Sequence, residues 1–244
     1  SNFKDKFLYE NLQIQNNLIH GSFLSNVRNL IFLGSSCIYP KFCKQPMKEN
    51  YLLSGKLEET NDAYAIAKIA GIKLCETYYK QYSDNFISVM PNNLYGPNDN
   101  FHDLNSHVIP ALVRRFYEAV VENKKSLKVW GSGKPKREFL HVDDFAKGCL
   151  KIMSISKKRY RKICDSDSQF INIGSSKEIS IKDLALLISD IVNFKGRLKY
   201  DKTKPNGNMR KLIDSSKIHK LNWRPKISIR SGIKLVIDEL ISNE

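Results

Sequence analysis

Two short apolar runs bracket the stretch that decides this fold. Leu30-Ile31-Phe32-Leu33 is stopped by Gly34, and Phe86-Ile87-Ser88-Val89-Met90 by Pro91; between them, residues 64–75 carry apolar side chains at helical spacing. Short unbroken apolar runs read as strands buried on both faces, and a helical crossover between two such strands makes them parallel. The expectation is an α/β fold with a parallel sheet. Such sheets bind ligands beyond the carboxyl ends of their strands. Gly34-Ser35-Ser36 and Pro91-Asn92-Asn93-Leu94 stand at those ends, so chemistry is sought there first.

The alternation continues. An opening helix is expected over residues 9–20, with Leu12, Leu18 and Ile19 as its apolar side, and Thr60 or Asn61 as N-cap of the helix holding Tyr64. Beyond Gly96-Pro97 the rhythm loosens into a helix over 114–121 and a strand over 127–130 closed by Gly131-Ser132-Gly133. A strand over 137–142 runs into Asp143-Asp144 as a helix cap, and another follows over 170–174. Ser180-Ile181-Lys182-Asp183 reads as a capping box for a helix over 184–192. A turn at Lys204-Pro205-Asn206-Gly207 and an amphipathic helix from about residue 229 come last.

At 244 residues, 41% hydrophobic and 10% aromatic, the chain can bury a real core. No apolar run approaches the ~20 residues of a helical membrane span, and no signal-peptide pattern is present. The five cysteines (Cys37, Cys43, Cys75, Cys149, Cys164) form no C-x-x-C pair. That argues against a zinc site or a disulfide framework and for a reducing, cytoplasmic setting; no metal is expected. A net charge of +15 raises nucleic-acid binding, but Lys and Arg are scattered, as in Lys124-Lys125 and Lys157-Lys158-Arg159, with no stripe of interleaved aromatics. A solvated lysine-rich surface, with a few cations kept for a phosphate-bearing small molecule, accounts for it.

Tyr64 and Lys68 lie four residues apart in Thr60-Asn61-Asp62-Ala63-Tyr64-Ala65-Ile66-Ala67-Lys68, on one helical face. A phenol protonates a carbonyl oxygen when its proton is labile, and a neighbouring cation makes it so. Lys68 is flanked by Ile66, Ala67, Ile69, Ala70 and Ile72, and an ammonium in apolar surroundings needs a ligand, a carboxylate or a task. With serines ending the preceding strand, the pair is the acid half of a carbonyl reduction. The plain alternative is a chance Tyr–Lys pair on an amphipathic helix.

Five motifs go further: Gly34-Ser-Ser-Cys-Ile-Tyr-Pro-Lys41, Tyr64-Ala-Ile-Ala-Lys-Ile-Ala-Gly-Ile-Lys-Leu-Cys75, Asn93-Leu-Tyr-Gly-Pro-Asn-Asp-Asn-Phe101, Asn105-Ser-His-Val-Ile-Pro-Ala111 and Arg137-Glu-Phe-Leu-His-Val-Asp-Asp144. Through them the chain resembles the GDP-L-fucose synthase family of extended short-chain dehydrogenases/reductases, from near residue 7 onward. Tyr-x-x-x-Lys marks only the superfamily; the surroundings of Cys37 and His107 narrow it. The resemblance implies a Rossmann-type parallel sheet, its N-terminal strands missing, with a smaller α/β substrate-binding domain. Residues 1–97 would be a partial NADP-binding domain carrying the catalytic residues. Residues 98–244 would mainly bind the GDP-sugar, with segments near 137–174 returning to the Rossmann sheet.

The implied activity inverts GDP-4-keto-6-deoxy-D-mannose at C3 and C5 and then reduces C4 with NADPH, giving GDP-L-fucose. A C4 ketone acidifies its neighbouring carbons, and inversion takes a base on one face and an acid on the other. Cys37 and His107 are the implied pair, because thiols and imidazoles exchange protons near neutrality. Ser35 and Tyr64 would bind the oxyanion. Tyr64 would donate its proton as hydride arrives, while Lys68 holds the nicotinamide ribose and lowers the phenol's pKa. Cofactor contacts are implied at Leu33, Gly34, Ser35, Ser36, Lys68, Pro91, Asn92, Asn93, Leu94 and His107. Substrate contacts are implied at Asn93, Arg115, Trp130, Arg137 and Lys211, Arg forks suiting diphosphate and Trp a base or sugar face. The structural alternatives are surface ion pairs for the Arg residues and a core anchor for Trp130. Cys43, Cys75, Cys149 and His141 read as packing residues.

Departures from the family pattern are Asn206 for an Asp, Met209 for a Pro and Asn92 for a Thr, which leave room for a GDP-linked heptose or another deoxy-sugar. The family's glycine-rich strand–turn–helix has no counterpart, since no G-x-x-G-x-x-G occurs here. On the order of 70 residues, with the first four Rossmann strands, are expected to be missing from this sequence, leaving the strand at 30–33 with an open apolar edge. Competing readings are a nucleotide-sugar 4-epimerase or dehydratase and a non-catalytic remnant. A dehydratase wants an acidic pair where Ser36-Cys37-Ile38 stands. A homodimer through the Tyr64 helix and the helix before it is implied; nucleic-acid and membrane partners are not.

Overall fold

A computed structural model describes residues 4–102, 106–164, 168–204 and 206–242. In chain order the elements are α1 (Lys4–Leu24), β1 (Asn29–Leu33), α2 (Asp62–Tyr82), β2 (Asn85–Pro91), β3 (Asn93–Tyr95), α3 (Val108–Val121), β4 (Ser126–Trp130) and β5 (Lys136–His141). Then come α4 (Val142–Met153), α5 (Lys157–Ile163), β6 (Phe170–Ile173), β7 (Glu178–Ser180), α6 (Ile181–Ile191), β8 (Arg197–Asp201), β9 (Arg210–Lys211), α7 (Ser216–His219) and α8 (Ile229–Ser242). Short 3-10 turns occupy Ser36–Ile38 and Glu49–Tyr51.

The chain divides into two compact units. Unit 1 comprises residues 1–92, 145–176 and 213–224; unit 2 comprises 93–144, 177–212 and 225–244. The backbone therefore passes between them at 92/93, 144/145, 176/177, 212/213 and 224/225, where the sequence suggested one boundary at 97/98 and a return near 137–174.

Unit 1 is built on a parallel sheet in the order β1-β2-β6, with Ile31 opposite Ile87 and Val89 opposite Ile171. All seven residues of β2 are buried, as befits the central strand of a parallel sheet. The outer edge of β1 has no strand neighbour among the described residues, and Leu33 is 47% exposed there. Helix α1 packs on α2 through Ile19 and Gln15, whose Nε2 donates to the Ala67 carbonyl at 2.6 Å. Leu18, expected on the apolar side, points outward; the i, i+4 pair Gln15 and Ile19 sets the buried face instead. Phe32, Ile72, Cys75, Phe86, Met90 and Phe170 fill the core.

Unit 2 centres on β5, paired in parallel with β3 and β9 and antiparallel with β7; β4 and β8 form a separate parallel pair. Val113 and Phe116 of α3, Leu184 and Ile188 of α6, and Ile233 and Val236 of α8 make its core. Ser180 caps α6 as expected, accepting from the Asp183 N–H at 3.0 Å and donating to its carboxylate at 2.6 Å. Asn61 is the N-cap residue of α2, as expected, without a side-chain cap bond; Asp62, one residue on, accepts from the Ala63 N–H at 2.8 Å and meets Lys4 Nζ at 2.9 Å. The cap expected at Asp143-Asp144 changes. Asp144 lies inside α4, buried, and its carboxylate takes the N–H groups of Lys226 (2.9 Å) and Ile227 (2.7 Å) ahead of α8. Asn105 and Pro205, parts of expected motifs, lie outside the described residues. Among the described residues no helix is long and apolar enough to cross a membrane.

Candidate active site

The sequence-selected residues gather into two groups, one in each unit. In unit 1 the strand β1 ends on Leu33, and the chain turns at once into Ser36–Ile38. Gly34 permits this: its N–H bonds the Val89 carbonyl at 2.9 Å, and a Cβ there would lie 2.3 Å from Met90 Sδ. Ser35 is the N-cap of the turn, accepting from the Cys37 N–H at 3.3 Å, and it lies close enough to the Tyr64 phenol to lower its pKa. The Ser36 hydroxyl donates to the buried Asn92 side chain at 3.2 Å. Cys37 lies close enough for its charge to act on Tyr64. Ser35, Cys37 and Tyr64 are thus neighbours, drawn from a strand end and a helix start.

Lys68, one helical turn beyond Tyr64, is half-buried. Its Nζ donates to the Leu33 carbonyl at 3.1 Å and stands 5.1 Å from the Phe32 ring centroid and 5.6 Å from that of Tyr64. No carboxylate pairs with it among the described residues. Burial pushes its pKa down. The Tyr64 phenol is pushed up, first by burial and next by Cys37, with Ser35 opposing. Lys68 is not among the groups that shift Tyr64, so the lowering expected of it is not seen in the protein alone, where burial dominates and keeps the phenol protonated.

A ribose is a fitting guest for this end of the sheet. Lys68 keeps two N–H donors beyond its one hydrogen bond, at an open strand terminus where Leu33 is exposed. The residues of this group accordingly suit the nicotinamide half of a dinucleotide.

In unit 2, Asn93, Leu94, His107, Arg137 and Phe139 line one cleft of about 140 Å³. His107 is the exposed N-cap residue of α3, its carbonyl accepting from Ala111 N at 3.0 Å while its ring makes no cap bond. Asn93 Nδ2 donates to the Glu138 carbonyl at 2.8 Å. Arg137, beside Lys211 in the β5–β9 register, donates to the carbonyls of Lys136 (2.8 Å), Asn208 (2.6 Å) and Asn206 (3.4 Å). It makes no ion pair among the described residues.

Trp130 is 51% exposed rather than a core anchor, with Arg115 and Lys204 over its ring at 5.6 and 5.4 Å. Arg115 donates to the Lys128 carbonyl and faces the indole, so neither Arg is a simple surface ion pair. Lys204 was not assigned a binding role from sequence; its place as the first residue of the turn at 204–207 was the available signal. His141 is buried against Tyr95. Burial pushes the thiols of Cys75 and Cys149 up to about 12 and about 11, and that of Cys43 upward, which suits packing residues.

A parallel sheet with Ser35 just past a strand end, beside a helix-borne Tyr64 and Lys68, defines a Rossmann-type oxidoreductase or epimerase architecture, and residues 1–164 match the NAD dependent epimerase/dehydratase family, to which this chain belongs. The chain is 49% identical over 238 residues to the GDP-L-fucose synthase of Escherichia coli strain K12, covering 98% of this chain and 74% of that protein. Two solved structures are also similar. One is a GDP-6-OMe-4-keto-L-xylo-heptose reductase from C. jejuni (39% identity, TM-score 0.91, 99% of this chain and 78% of that one). The other is a GDP-L-fucose synthetase from Naegleria fowleri bound to NADP (30% identity, TM-score 0.87, 99% and 74%).

Proposed function

We propose that this protein inverts and reduces a GDP-linked 4-keto-6-deoxy sugar, GDP-4-keto-6-deoxy-D-mannose, to GDP-L-fucose. The observation that carries the reading is the juxtaposition of Ser35, Cys37 and the half-buried Tyr64 phenol, one helical turn from a Lys68 that has no carboxylate partner among the described residues. NADP(H) supplies the hydride when bound. Tyr64 gives its proton to O4, Ser35 holds that oxygen, and Lys68 binds the ribose with its spare donors. Cys37 and His107 exchange protons at the carbons flanking the ketone. Leu33, Gly34, Ser36, Pro91, Asn92, Asn93 and Leu94 bound the cofactor, and Asn93, Arg115, Trp130, Arg137 and Lys211 hold the GDP-sugar. Unit 1 then serves the cofactor and unit 2 the sugar nucleotide.

The exposed Phe7, Ile14 and Leu18 of α1 and Ile66 of α2 support a homodimer through these helices. A second sugar is favoured by one observation: Asn92, Asn206 and Met209 depart from the fucose-synthase pattern, and a GDP-heptose reductase is among the similar structures. NADPH oxidation with each ketosugar separates the two. Tyr64→Phe should abolish reduction, about 10²–10⁴-fold; Cys37→Ser should block inversion. Full activity in Tyr64→Phe would overturn the reading.

A further inference from the structure

Three buried polar residues of unit 1, Glu49, Asn172 and Lys217, take no part in the chemistry above, yet they are joined in one network. Asn172 is wholly buried in β6 and every polar group of its side chain is used. Its Oδ1 accepts from the Tyr39 hydroxyl at 2.5 Å, and its Nδ2 donates to the Met47 carbonyl at 3.0 Å. Its backbone N–H donates to Glu49 Oε1 at 3.1 Å. The other Glu49 oxygen lies 3.9 Å from Lys217 Nζ, and that ammonium donates to Ser168 Oγ at 2.8 Å. These contacts span 123 to 133 residues of sequence for Asn172, and all five residues are 5% exposed or less.

Burying an ion pair and an amide gains little stability over an apolar filling of the same volume. What a fully satisfied network adds is one fixed geometry. The geometry fixed here is that of Tyr39, which closes the Ser36–Ile38 turn two residues after Cys37. The front of that turn has separate anchors, the Ser35 bond to Cys37 N and the Ser36 bond to Asn92. At its far end the side chain of Tyr39 is tied to Asn172.

We infer that Asn172, oriented by Glu49, is a positioning residue that acts through Tyr39 to hold the Cys37 thiol for proton exchange at the sugar carbons. This rests on the role proposed for Cys37. Because Ser35 and Tyr64 are anchored separately, loosening the far end of the turn weakens inversion more than reduction.

The test measures two things in Tyr39→Phe, in Asn172→Ala and in wild type. The first is deuterium uptake from D2O into GDP-4-keto-6-deoxy-D-mannose; the second is the ratio of inverted to uninverted reduced sugar when NADPH is supplied. Uptake should fall ten- to hundredfold, the scale of a misplacement of about 1 Å, and the product ratio should move toward uninverted sugar. A merely structural defect lowers both activities together and leaves the ratio unchanged. An unchanged ratio in either folded variant, or uptake within twofold of wild type, overturns the inference. Wild type that neither exchanges nor reduces overturns the functional reading and this inference with it. Wild type that exchanges, beside variants that match it, overturns this inference alone.

Discussion

Replacing Gly71 by alanine should destabilise the protein, although alanine is the better helix former. Gly71 lies in α2 one turn past Lys68, and a Cβ there would stand 2.4 and 2.8 Å from two carbons of the Phe32 ring and 3.0 Å from Gln15 Cδ. Carbon atoms rest at ~3.5–4.0 Å, so the ring would have to retreat by roughly 1 Å. It cannot do so freely, being buried on β1, while Gln15 is tied to the Ala67 carbonyl. Helix propensity contributes about 1 kcal/mol in favour of alanine, and overpacking costs about 1–3 kcal/mol. Two rigid neighbours place this site at the upper end, for a net loss of about 1–2 kcal/mol. For a chain of this size that is roughly 2–8 °C in Tm, read by thermal circular dichroism. Gly21 in α1 is the control: nothing lies within 4 Å of its Cβ position, so Gly21→Ala should gain up to about 1 kcal/mol. Phe32 also underlies the Lys68 ammonium, so Gly71→Ala should slow reduction. A Gly71→Ala protein melting at or above wild type would refute the packing argument.

Two further outcomes concern charge. Burial lowers the Lys68 pKa and raises that of Tyr64, so the alkaline limb of kcat/KM should belong to Lys68 losing its proton; Lys68→Arg, cationic at any working pH, should move that limb upward, and an unmoved limb counts against the assignment. Lys217→Met should cost about 3–5 kcal/mol at alkaline pH, by removing the cation that opposes the burial-raised pKa of Glu49. A carboxyl whose folded pKa exceeds its unfolded value stabilises the fold on the acid side and loses that contribution as pH rises through the folded pKa. The Tm gap between Lys217→Met and wild type should therefore shrink from pH 8 toward pH 5; a gap that widens on acidification contradicts the account.

What the sequence makes legible is whatever depends on near neighbours. Tyr64 and Lys68 share a face because helices repeat every 3.6 residues, and the capping of α6 follows from Ser180 and Asp183 three residues apart. Strand ends were legible from Gly34 and Pro91. The Asp144 grip on residues 226 and 227 was not, since helix and strand patterns carry no record of which distant backbone a carboxylate will meet. Asn172 and Glu49 were invisible for the same reason. The direction of the Tyr64 shift was not legible, because the depth of burial that dominates it is a tertiary quantity. Trp130 was identified, but not the two cations that flank it, one from α3 and one from the segment after β8.

The five passages of the backbone between the units have a consequence for how this protein is made and cut. Unit 1 waits for residues 213–224 to close its core, and unit 2 for α8, near the end of the sequence. Neither can be finished while the chain is still emerging from the ribosome at residue 200, and each depends on contacts between segments far apart in sequence, which slows folding. No single protease cut would release one unit whole, because each unit is assembled from three separate segments of the chain. Expressing either half alone should yield aggregation-prone material, and the two units should melt together.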